Sequence, residues 1–301
     1  MIVTCQGGDY SKEIHKPLRA SGWKGYWVDA ASALRMEDSS TLILDPINKN
    51  VIDNALNAGT KDFIGANCTV SLLLMAIGGL LKEDLVEWVS TMTYQAASGA
   101  GARHMKELVE QWQFLSGFAS DELNKNDLSI LDLDQKVMNG YEQTNFPKEN
   151  FGFPLAGNLL PWIDSAKEQG ETREEWKAQV EANKILGRTS QNQVYIDGTC
   201  VRIGSLRCHS QGAILKLKKS VDLQSIHSLI AETSSWTEIV ENDKQNTCAK
   251  LTPVYASGTL KIPVGRIRKA KMGEDYLNLF TVGDQLLWGA AEPLRRFINL
   301  L

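Results

Sequence analysis

The sequence predicts an α/β fold in its first part and an α+β arrangement with a mixed or antiparallel sheet in its second part. Short apolar runs alternate with helical segments up to residue 65, which is typical of a parallel sheet with crossover helices. The run from Val70 to Leu81 is nearly all apolar and too long for an exposed strand, so we expect a buried helix there. From Val194 onward the segments are strand-like, which indicates a second sheet.

The first 65 residues supply the alternation. An apolar run at Ile2–Cys5 predicts a buried strand that ends at a pair of glycines. The segments that follow are a helix at 11–21, strands at 25–30 and 41–46, a helix around 51–59 and a short apolar stretch at 63–65. This order predicts parallel strands joined by crossover helices.

Cys68 is the most informative single residue, because it lies where a loop enters the predicted buried helix. Asn67 is a good N-cap and Gly65 a good turn residue, so unpaired backbone N–H groups at the helix start face the sulfur. A helix N-terminus lowers a cysteine pKa from about 8.5 into the ~3.5–7.5 range, which favours a nucleophilic thiolate. An ordinary buried apolar cysteine is the alternative, and the local sequence leaves both open.

The second part mixes helices and strands. A capping box at Thr172–Glu175 begins a helix that runs to Ile185. The other predicted elements are a strand at 87–94, a small-residue loop at 95–101, a helix at 102–118, strands at 199–206, 212–218 and 258–271, and an amphipathic last helix at 284–301. Pro293 favours a kink in that last helix.

Composition argues against several classes of function. The 301 residues are 43% hydrophobic and 23% charged with a net charge of −4, so we expect a globular protein that binds no nucleic acid. Five cysteines without a CxxC pair indicate neither a disulfide framework nor a metal site. The N-terminus lacks signal-peptide features, and the longest apolar run, 70–81, is shorter than the about 20 residues that cross a bilayer. We therefore expect a cytoplasmic protein without metal and without a membrane partner.

A thiolate nucleophile needs a proton shuttle, and His209 is the leading candidate among the four histidines. It lies in a strand-like segment with Arg202 and Arg207, and arginines are suited to binding carboxylate or phosphate. A structural, salt-bridged strand is the alternative for this segment. The remaining histidines lie on predicted surface helices or at a helix start, where an ordinary hydrogen-bonded role is expected: His15, His104 and His227.

Two further cations could hold an anion. One is Arg35, and the other is Lys177, which lies three residues after Glu174 and therefore on the same helical face. Taken alone, Glu174 and Lys177 are most simply explained as a solvated surface ion pair.

Eight segments carry a resemblance that runs from one end of the chain to the other. They are TCQGG at 4–8, GANCT at 65–69, TYQAASG at 93–99, PLAG at 154–157, EEWK at 174–177, VRIG at 201–204, RCHSQ at 207–211 and VGDQLLWGAAEPLR at 282–295. In sequence and in order they closely resemble the bacterial aspartate-semialdehyde dehydrogenases, which are NADP-dependent enzymes. The resemblance implies a partial Rossmann-like domain at 1–67 and 285–301, the remnant of an NADP-binding domain, and a catalytic and dimerisation domain at 68–284.

The resemblance also implies a role for each matched position. Cys68 would attack the aldehyde carbon and carry an acyl-enzyme thioester, with His209 as general acid/base and Gln95 orienting the intermediate. Arg202 would bind the substrate carboxylate and Glu174 the substrate amine. The positions implied for phosphate are Arg35, Lys177 and Asn67, and those implied for NADP are Gln6, Ser98, Gly99 and Gln285.

The implied reaction is the reductive dephosphorylation of L-aspartyl 4-phosphate to L-aspartate 4-semialdehyde by a homodimer. It belongs to lysine, threonine, methionine and diaminopimelate biosynthesis. N-acetyl-glutamyl-phosphate reductases share this chemistry, but the sequences around Cys68 and His209 fit them less well.

The sequence departs from the family pattern in two features. The glycine-rich GxxGxxG turn that seats the cofactor pyrophosphate does not occur before Gln6, so we expect the chain to lack N-terminal strands, on the order of two βαβ units of ~30 residues each. In the family loop SGGGARHM this chain has Ala100. A truncated, catalytically impaired paralogue that acts as a dimerisation or regulatory remnant is the alternative to an active enzyme.

Overall fold

The computed structural model describes all residues from 1 to 301. Its first part contains β1 (Ile2–Thr4), α1 (Gly8–Ala20), β2 (Trp27–Asp29), β3 (Ser40–Ile43), α2 (Asp45–Asn57) and β4 (Asp62–Gly65). The four strands pair in parallel in the order β1-β2-β4-β3, which confirms the predicted sheet. Helix α2 begins at Asp45, earlier than expected, because Pro46 suits the first turn of a helix, where its missing N–H needs no partner.

The second part is built around a mixed sheet of seven strands. Its elements are α3 (Cys68–Lys82), β5 (Val86–Gln95), α4 (Ala102–Leu123), α5 (Ile130–Tyr141), β6 (Leu159–Leu160), α6 (Arg173–Ile185), β7 (Tyr195–Ile203), β8 (His209–Leu217), α7 (Leu223–Ala231), β9 (Thr237–Ile239), α8 (Lys244–Lys250), α9 (Pro253–Ala256), β10 (Ile262–Ala270) and β11 (Gly273–Gly283). The strand order is β6-β7-β5-β8-β11-β10-β9. Strand β5 pairs in parallel with β7 and antiparallel with β8, so the predicted mixed sheet is confirmed.

Helix α3 lies in the main hydrophobic core. Every residue from Thr69 to Leu81 is buried, as the unbroken apolar run predicts. Asn67 is its N-cap, and the Asn67 side chain accepts hydrogen bonds from the backbone N–H groups of Thr69 and Val70. The predicted helix start at Cys68 is therefore confirmed.

The end of the chain returns to the first sheet. The predicted single helix at 284–301 is divided into a π-helical turn at Leu287–Ala291 and a short helix α10 at Glu292–Ile298. Pro293 lies in the first turn of α10, so it begins a helix and does not kink one. The ring of Phe297 stacks on Phe63 of β4, with 4.3 Å between ring centroids. This contact packs α10 against the first sheet.

The prediction that His15 lies on a surface helix is wrong. His15 is only 8% exposed, because α1 packs its imidazole against the sheet. There Nε2 is 3.0 Å from Asp62 Oδ1, and the ring lies edge-on to Trp27. None of the helices is both long and apolar enough to cross a membrane.

Candidate active site

A cavity of about 420 Å³ lies at the carboxyl ends of the first sheet's strands, beside the N-terminus of α3. Ser32 follows β2 and Asn67 follows β4, and both line it. Ligands of open α/β sheets bind outside the carboxyl ends of the strands. Ten of the twelve predicted site residues line this cavity, namely Arg35, Asn67, Cys68, Gln95, Ser98, Gly99, Glu174, Lys177, Arg202 and Gln285.

The two predicted residues outside the lining are His209 and Gln6. His209 lies directly behind Gly99, since a Cβ added at Gly99 would be 2.9 Å from His209 Nε2. Gln6 follows β1, is exposed, and donates its backbone N–H to Thr4 Oγ1 at 3.3 Å. The role of Gln6 toward a cofactor stays a prediction.

Cys68 is the first residue of α3, but its surroundings do not favour the thiolate that the helix N-terminus led us to expect. Burial and the nearby Glu174 carboxylate raise the pKa of the Cys68 thiol to about 12, while Arg35, Arg202 and Lys177 lower it by less. The expectation of a thiolate at neutral pH is wrong, because desolvation and a carboxylate outweigh the cations. The resting group is a thiol, so nucleophilic attack requires that its proton be moved.

His209 is placed to act as a proton donor. Its Nδ1 accepts a hydrogen bond from the backbone N–H of Ala96 at 3.0 Å, so the neutral ring carries its proton on Nε2. Nε2 is buried and has no hydrogen-bond partner. Burial and the Arg202 guanidinium lower the pKa of His209 to about 3, which keeps the ring neutral. An unpaired, buried N–H beside the cavity wall is a ready donor to a reacting oxygen.

The backbone before His209 is held in a left-handed conformation. Cys208 has φ of 73° and is fully buried, and its N–H donates to Gln285 Oε1 at 3.1 Å. A non-glycine residue with positive φ is uncommon and marks a conformation that the surroundings impose. Gln285 therefore holds the entry to β8, and the hydrogen bond that its Nε2 donates to the Ser98 hydroxyl links this entry to the segment that contains Ser98.

Glu174 and Lys177 do not form the solvated surface pair that their spacing alone suggested. Both are buried, and Lys177 Nζ is 2.9 Å from Glu174 Oε2 and 2.7 Å from Asp164 Oδ2. Glu174 Oε1 also accepts from Asn67 Nδ2 at 3.0 Å and from Gln95 Nε2 at 3.3 Å. Burial would raise the pKa of Glu174, but the Lys177 charge and these hydrogen bonds lower it overall.

Arg202 differs from the other two cations of the cavity because it has no carboxylate partner. Arg35 Nη1 is 3.3 Å from Glu181 Oε1, and Lys177 is paired as described, whereas Arg202 Nη1 donates to the carbonyl oxygen of Ala96 at 2.7 Å. Burying a cation without a counter-ion is unfavourable. The cavity thus presents an uncompensated guanidinium suited to an anionic ligand.

Sequence reasoning missed several residues of this site, and three of them matter for its geometry: Glu181, Asp164 and Gly289. Glu181 lies seven residues after Glu174 and hence on the same face of α6, which was a usable signal. Asp164 and Gly289 both line the cavity. The segment around Asp164 shows no helical or strand period, and the helix predicted at 284–301 included Gly289 without indicating that it faces Cys68.

The cavity wall formed by Ser98, Gly99 and Gln285 fits a nicotinamide ring. A Cβ at Gly99 would lie 2.9 Å from both Arg202 Nη1 and His209 Nε2, so the absence of a side chain lets these two groups pack directly behind the wall. The Ser98 hydroxyl and the Gln285 amide supply hydrogen-bonding groups suited to a carboxamide.

Two family models match this chain. The semialdehyde dehydrogenase NAD binding domain matches residues 1–55, and the semialdehyde dehydrogenase dimerisation domain matches residues 77–288. An aspartate semialdehyde dehydrogenase from Francisella tularensis superposes with a TM-score of 0.94 at 48% identity, covering 99% of this chain and 80% of that chain.

Two more distant structures share the fold. Aspartate semialdehyde dehydrogenase II from Vibrio cholerae, complexed with ASA, has a TM-score of 0.75 at 22% identity, covering 98% of this chain and 77% of that one. Aspartate semialdehyde dehydrogenase with NADP from Candida albicans has a TM-score of 0.60 at 16% identity, covering 96% and 73%. From its family matches and its 48% identical relative, this chain belongs to the aspartate-semialdehyde dehydrogenase family of oxidoreductases.

Proposed function

We propose that this protein interconverts L-aspartyl 4-phosphate and L-aspartate 4-semialdehyde with NADP, through a thioester on Cys68. The observation that carries the proposal is the convergence in one cavity of Cys68, the carboxylate-free Arg202 and, behind Gly99, the unpaired Nε2–H of His209. A nucleophile, an anion site and a proton donor are the parts that acyl transfer through a thioester requires.

The ligand groups are assigned by charge. Arg202 binds the α-carboxylate, because it is the cation whose charge no carboxylate of the chain neutralises. Glu174 accepts the amine, since its pKa is lowered and it stays ionised. Arg35 and Lys177, together with the Asn67 amide, bind the phosphate. The cations that hold phosphate are also the ones already paired, so phosphate competes there with carboxylates of the chain.

In the oxidative direction the Cys68 thiol adds to the aldehyde. A C–S bond forms, and His209 Nε2 donates its proton to the carbonyl oxygen. The proton of the thiol then moves to Nε2, so the ring is neutral again. Gln95, whose amide is held by Thr93 Oγ1 at 3.2 Å and by Glu174, orients this tetrahedral group. A nicotinamide cofactor held at Ser98, Gly99 and Gln285 would supply the hydride acceptor for the carbon attached to sulfur. The hydroxyl proton of the tetrahedral group leaves to solvent as the thioester carbonyl forms.

Phosphate then releases the acyl group. One of its oxygens attacks the thioester carbonyl carbon, the C–S bond breaks, and the sulfur leaves with the electron pair. Arg35, Arg202 and Lys177 offset part of the thiolate's charge until the sulfur is reprotonated, which its raised pKa favours. In biosynthesis these steps run in reverse, from aspartyl phosphate to the semialdehyde.

We assign residues 1–67 and 285–301 to cofactor binding and residues 68–284 to catalysis and dimerisation. The packing of α10 on the first sheet supports the first assignment. The match of residues 77–288 to a dimerisation domain supports the second, as do the exposed Met92 and Tyr94 on β5. We place a homodimer in the cytoplasm, in lysine, threonine, methionine and diaminopimelate biosynthesis. Light scattering after size exclusion measures the mass that a dimer requires.

The test of the activity is phosphate-dependent reduction of NADP by the purified chain in the presence of aspartate semialdehyde. We expect turnover that needs both phosphate and aldehyde, and none in Cys68→Ala. Wild-type protein that folds but does not turn over would support a catalytically impaired remnant. Cys68→Ala with near-wild-type turnover would exclude the thioester.

A further inference from the structure

Glu181 is a buried carboxylate that connects two parts of the cavity without lining it. It lies on α6 and is 1% exposed. Oε1 is 3.3 Å from Arg35 Nη1, and Oε2 accepts the backbone N–H of Asn67 at 2.7 Å. Both partners line the cavity, one at the proposed phosphate site and the other directly before the nucleophile. Each oxygen of this carboxylate therefore holds a different residue of the site.

Helix α6 holds Asn67 at two points. Glu174 accepts from the Asn67 side-chain amide, and two turns later Glu181 accepts from its backbone N–H. The Asn67 Oδ1 in turn caps the first turn of α3 through Thr69 and Val70. Asn67, which precedes Cys68, is thus fixed by hydrogen bonds of both its backbone and its side chain, and this orients the thiol.

Glu181 also completes the fixation of Arg35. The Nε of Arg35 donates to the Gly65 carbonyl oxygen at 2.7 Å, and Nη2 donates to the Ala30 carbonyl oxygen at 3.3 Å. With the bond from Nη1 to Glu181, three of the five N–H donors of the guanidinium are used. The remaining two N–H groups are held in one orientation for an anion in the cavity.

We propose that Glu181 is a positioning residue that sets the phosphate-binding guanidinium of Arg35 and the nucleophile's helix in register. The role of Arg35 rests on the proposed function. The carboxylate has two opposite effects on phosphate affinity. Its negative charge weakens the attraction between Arg35 and phosphate, whereas its hydrogen bonds hold Arg35 and Asn67 in place. We infer that the positioning effect prevails, because the group is buried and both oxygens are used.

Glu181→Gln separates the two effects. An amide accepts through one oxygen and places an NH₂ group against the other donor, so either Arg35 or Asn67 loses its acceptor. Losing a buried hydrogen bond to a charged group corresponds to roughly a tenfold or greater loss of affinity. We expect the KM for phosphate to rise by about that factor, with a much smaller change in the KM for aspartate semialdehyde. An unchanged or lower phosphate KM would overturn the proposal.

A second measurement does not depend on turnover. Inorganic phosphate should protect Cys68 from alkylation by iodoacetamide, and the protecting concentration should rise in Glu181→Gln as the KM does. Glu181→Asp keeps the charge but is too short to reach both donors, so we expect the same loss of protection. If phosphate protects Cys68 in Glu181→Asp at the same concentration as in wild type, a positioning role of Glu181 is excluded.

Glu107→Gln is the matched control. Glu107 is 2% exposed and accepts three hydrogen bonds from Asn150 and Phe151, away from the Cys68 cavity. We expect Glu107→Gln to lower the melting temperature without changing the protection of Cys68 by phosphate. This control shows how the alkylation assay responds to a loss of stability alone. Wild-type protein without NADP reduction would refute the proposed function, while the alkylation assay would still decide the role of Glu181.

Discussion

Gly289 lies directly against Cys68. A Cβ added at Gly289 would be 2.7 Å from the Cys68 Cα and 3.2 Å from the Gln285 Cβ, and real Cβ atoms do not approach backbone so closely. The π-helical turn at Leu287–Ala291 brings the glycine to this position, and such turns are frequent at functional sites. The wall behind the proposed nucleophile therefore has room for a glycine and for no larger residue.

We predict that Gly289→Ala reduces kcat by about 100-fold, because displacing a reacting group by about 1 Å costs on the order of that factor. Steady-state NADP reduction measures the loss. Gly117→Ala on α4 is the control, since no atom lies within 4 Å of a Cβ at that position. The control should keep full activity. Full activity in Gly289→Ala would show that Cys68 is not fixed by this contact.

Substitutions at Cys208 should separate backbone conformation from side-chain packing. Its φ of 73° suits glycine and excludes β-branched residues. We predict that Cys208→Gly keeps kcat within about threefold of wild type, although the cavity left by the missing side chain lowers its stability. Cys208→Val should have a lower kcat, because a valine cannot keep this φ and His209 is displaced. Kinetics and thermal unfolding of both variants provide the comparison. Equal kcat in the two variants would argue against the positioning of His209 by this conformation.

Arg202→Lys tests the anion site that lacks a carboxylate partner. A lysine cannot reproduce the bidentate geometry of a guanidinium, so we expect the KM for aspartate semialdehyde to rise about tenfold or more, with the KM for phosphate nearly unchanged. Arg188→Lys is the control, because Arg188 binds carbonyl oxygens of Leu81 and Asn192 and does not line the cavity. If the KM for phosphate changed more than the KM for aspartate semialdehyde, Arg202 would belong to the phosphate site and not to the carboxylate site.

The pH dependence of Cys68 alkylation follows from its raised pKa. Burial and Glu174 raise that pKa to about 12, so the rate should increase with pH without a plateau below that value. Removing the negative charge in Glu174→Gln lowers the pKa of Cys68, and alkylation at neutral pH should therefore become faster. Rates of iodoacetamide incorporation, read by mass spectrometry of the Cys68 peptide, check both statements. A plateau near neutral pH in wild type would mean that the thiolate is already present.

Acid stability should depend on His209. Burial and Arg202 lower the pKa of His209 from 6.5 to about 3, so the unfolded chain binds a proton at a higher pH than the folded chain. The stabilisation that this difference gives is present above pH 6.5 and is lost as pH falls toward 3. We predict that His209→Gln shows a shallower decrease of melting temperature over that range. A curve for His209→Gln that runs parallel to that of wild type would contradict the shift.

Local sequence determined where the key elements begin. Asn67 followed by a long apolar run predicted both the start of α3 and the position of Cys68 at that start, and the Thr172–Glu175 box predicted the start of α6. These features depend on hydrogen bonds between residues two to four positions apart, so the sequence of a single turn is enough to specify them. The segments that resemble the family contain nine of the ten predicted residues that line the cavity, and Arg35 lies outside those segments.

The tertiary structure alone decided which charges are buried and how they pair. Glu174 meets Asn67 across 107 residues of sequence, and Glu181 meets it across 114. No local pattern contains that information, so the pair Glu174 and Lys177 was mistaken for a surface pair, and the pKa of Cys68 was expected to shift in the wrong direction. Sequence placed the thiol at the start of a helix, but burial and a carboxylate brought there by folding determine its protonation, because desolvation depends on everything that packs around the sulfur.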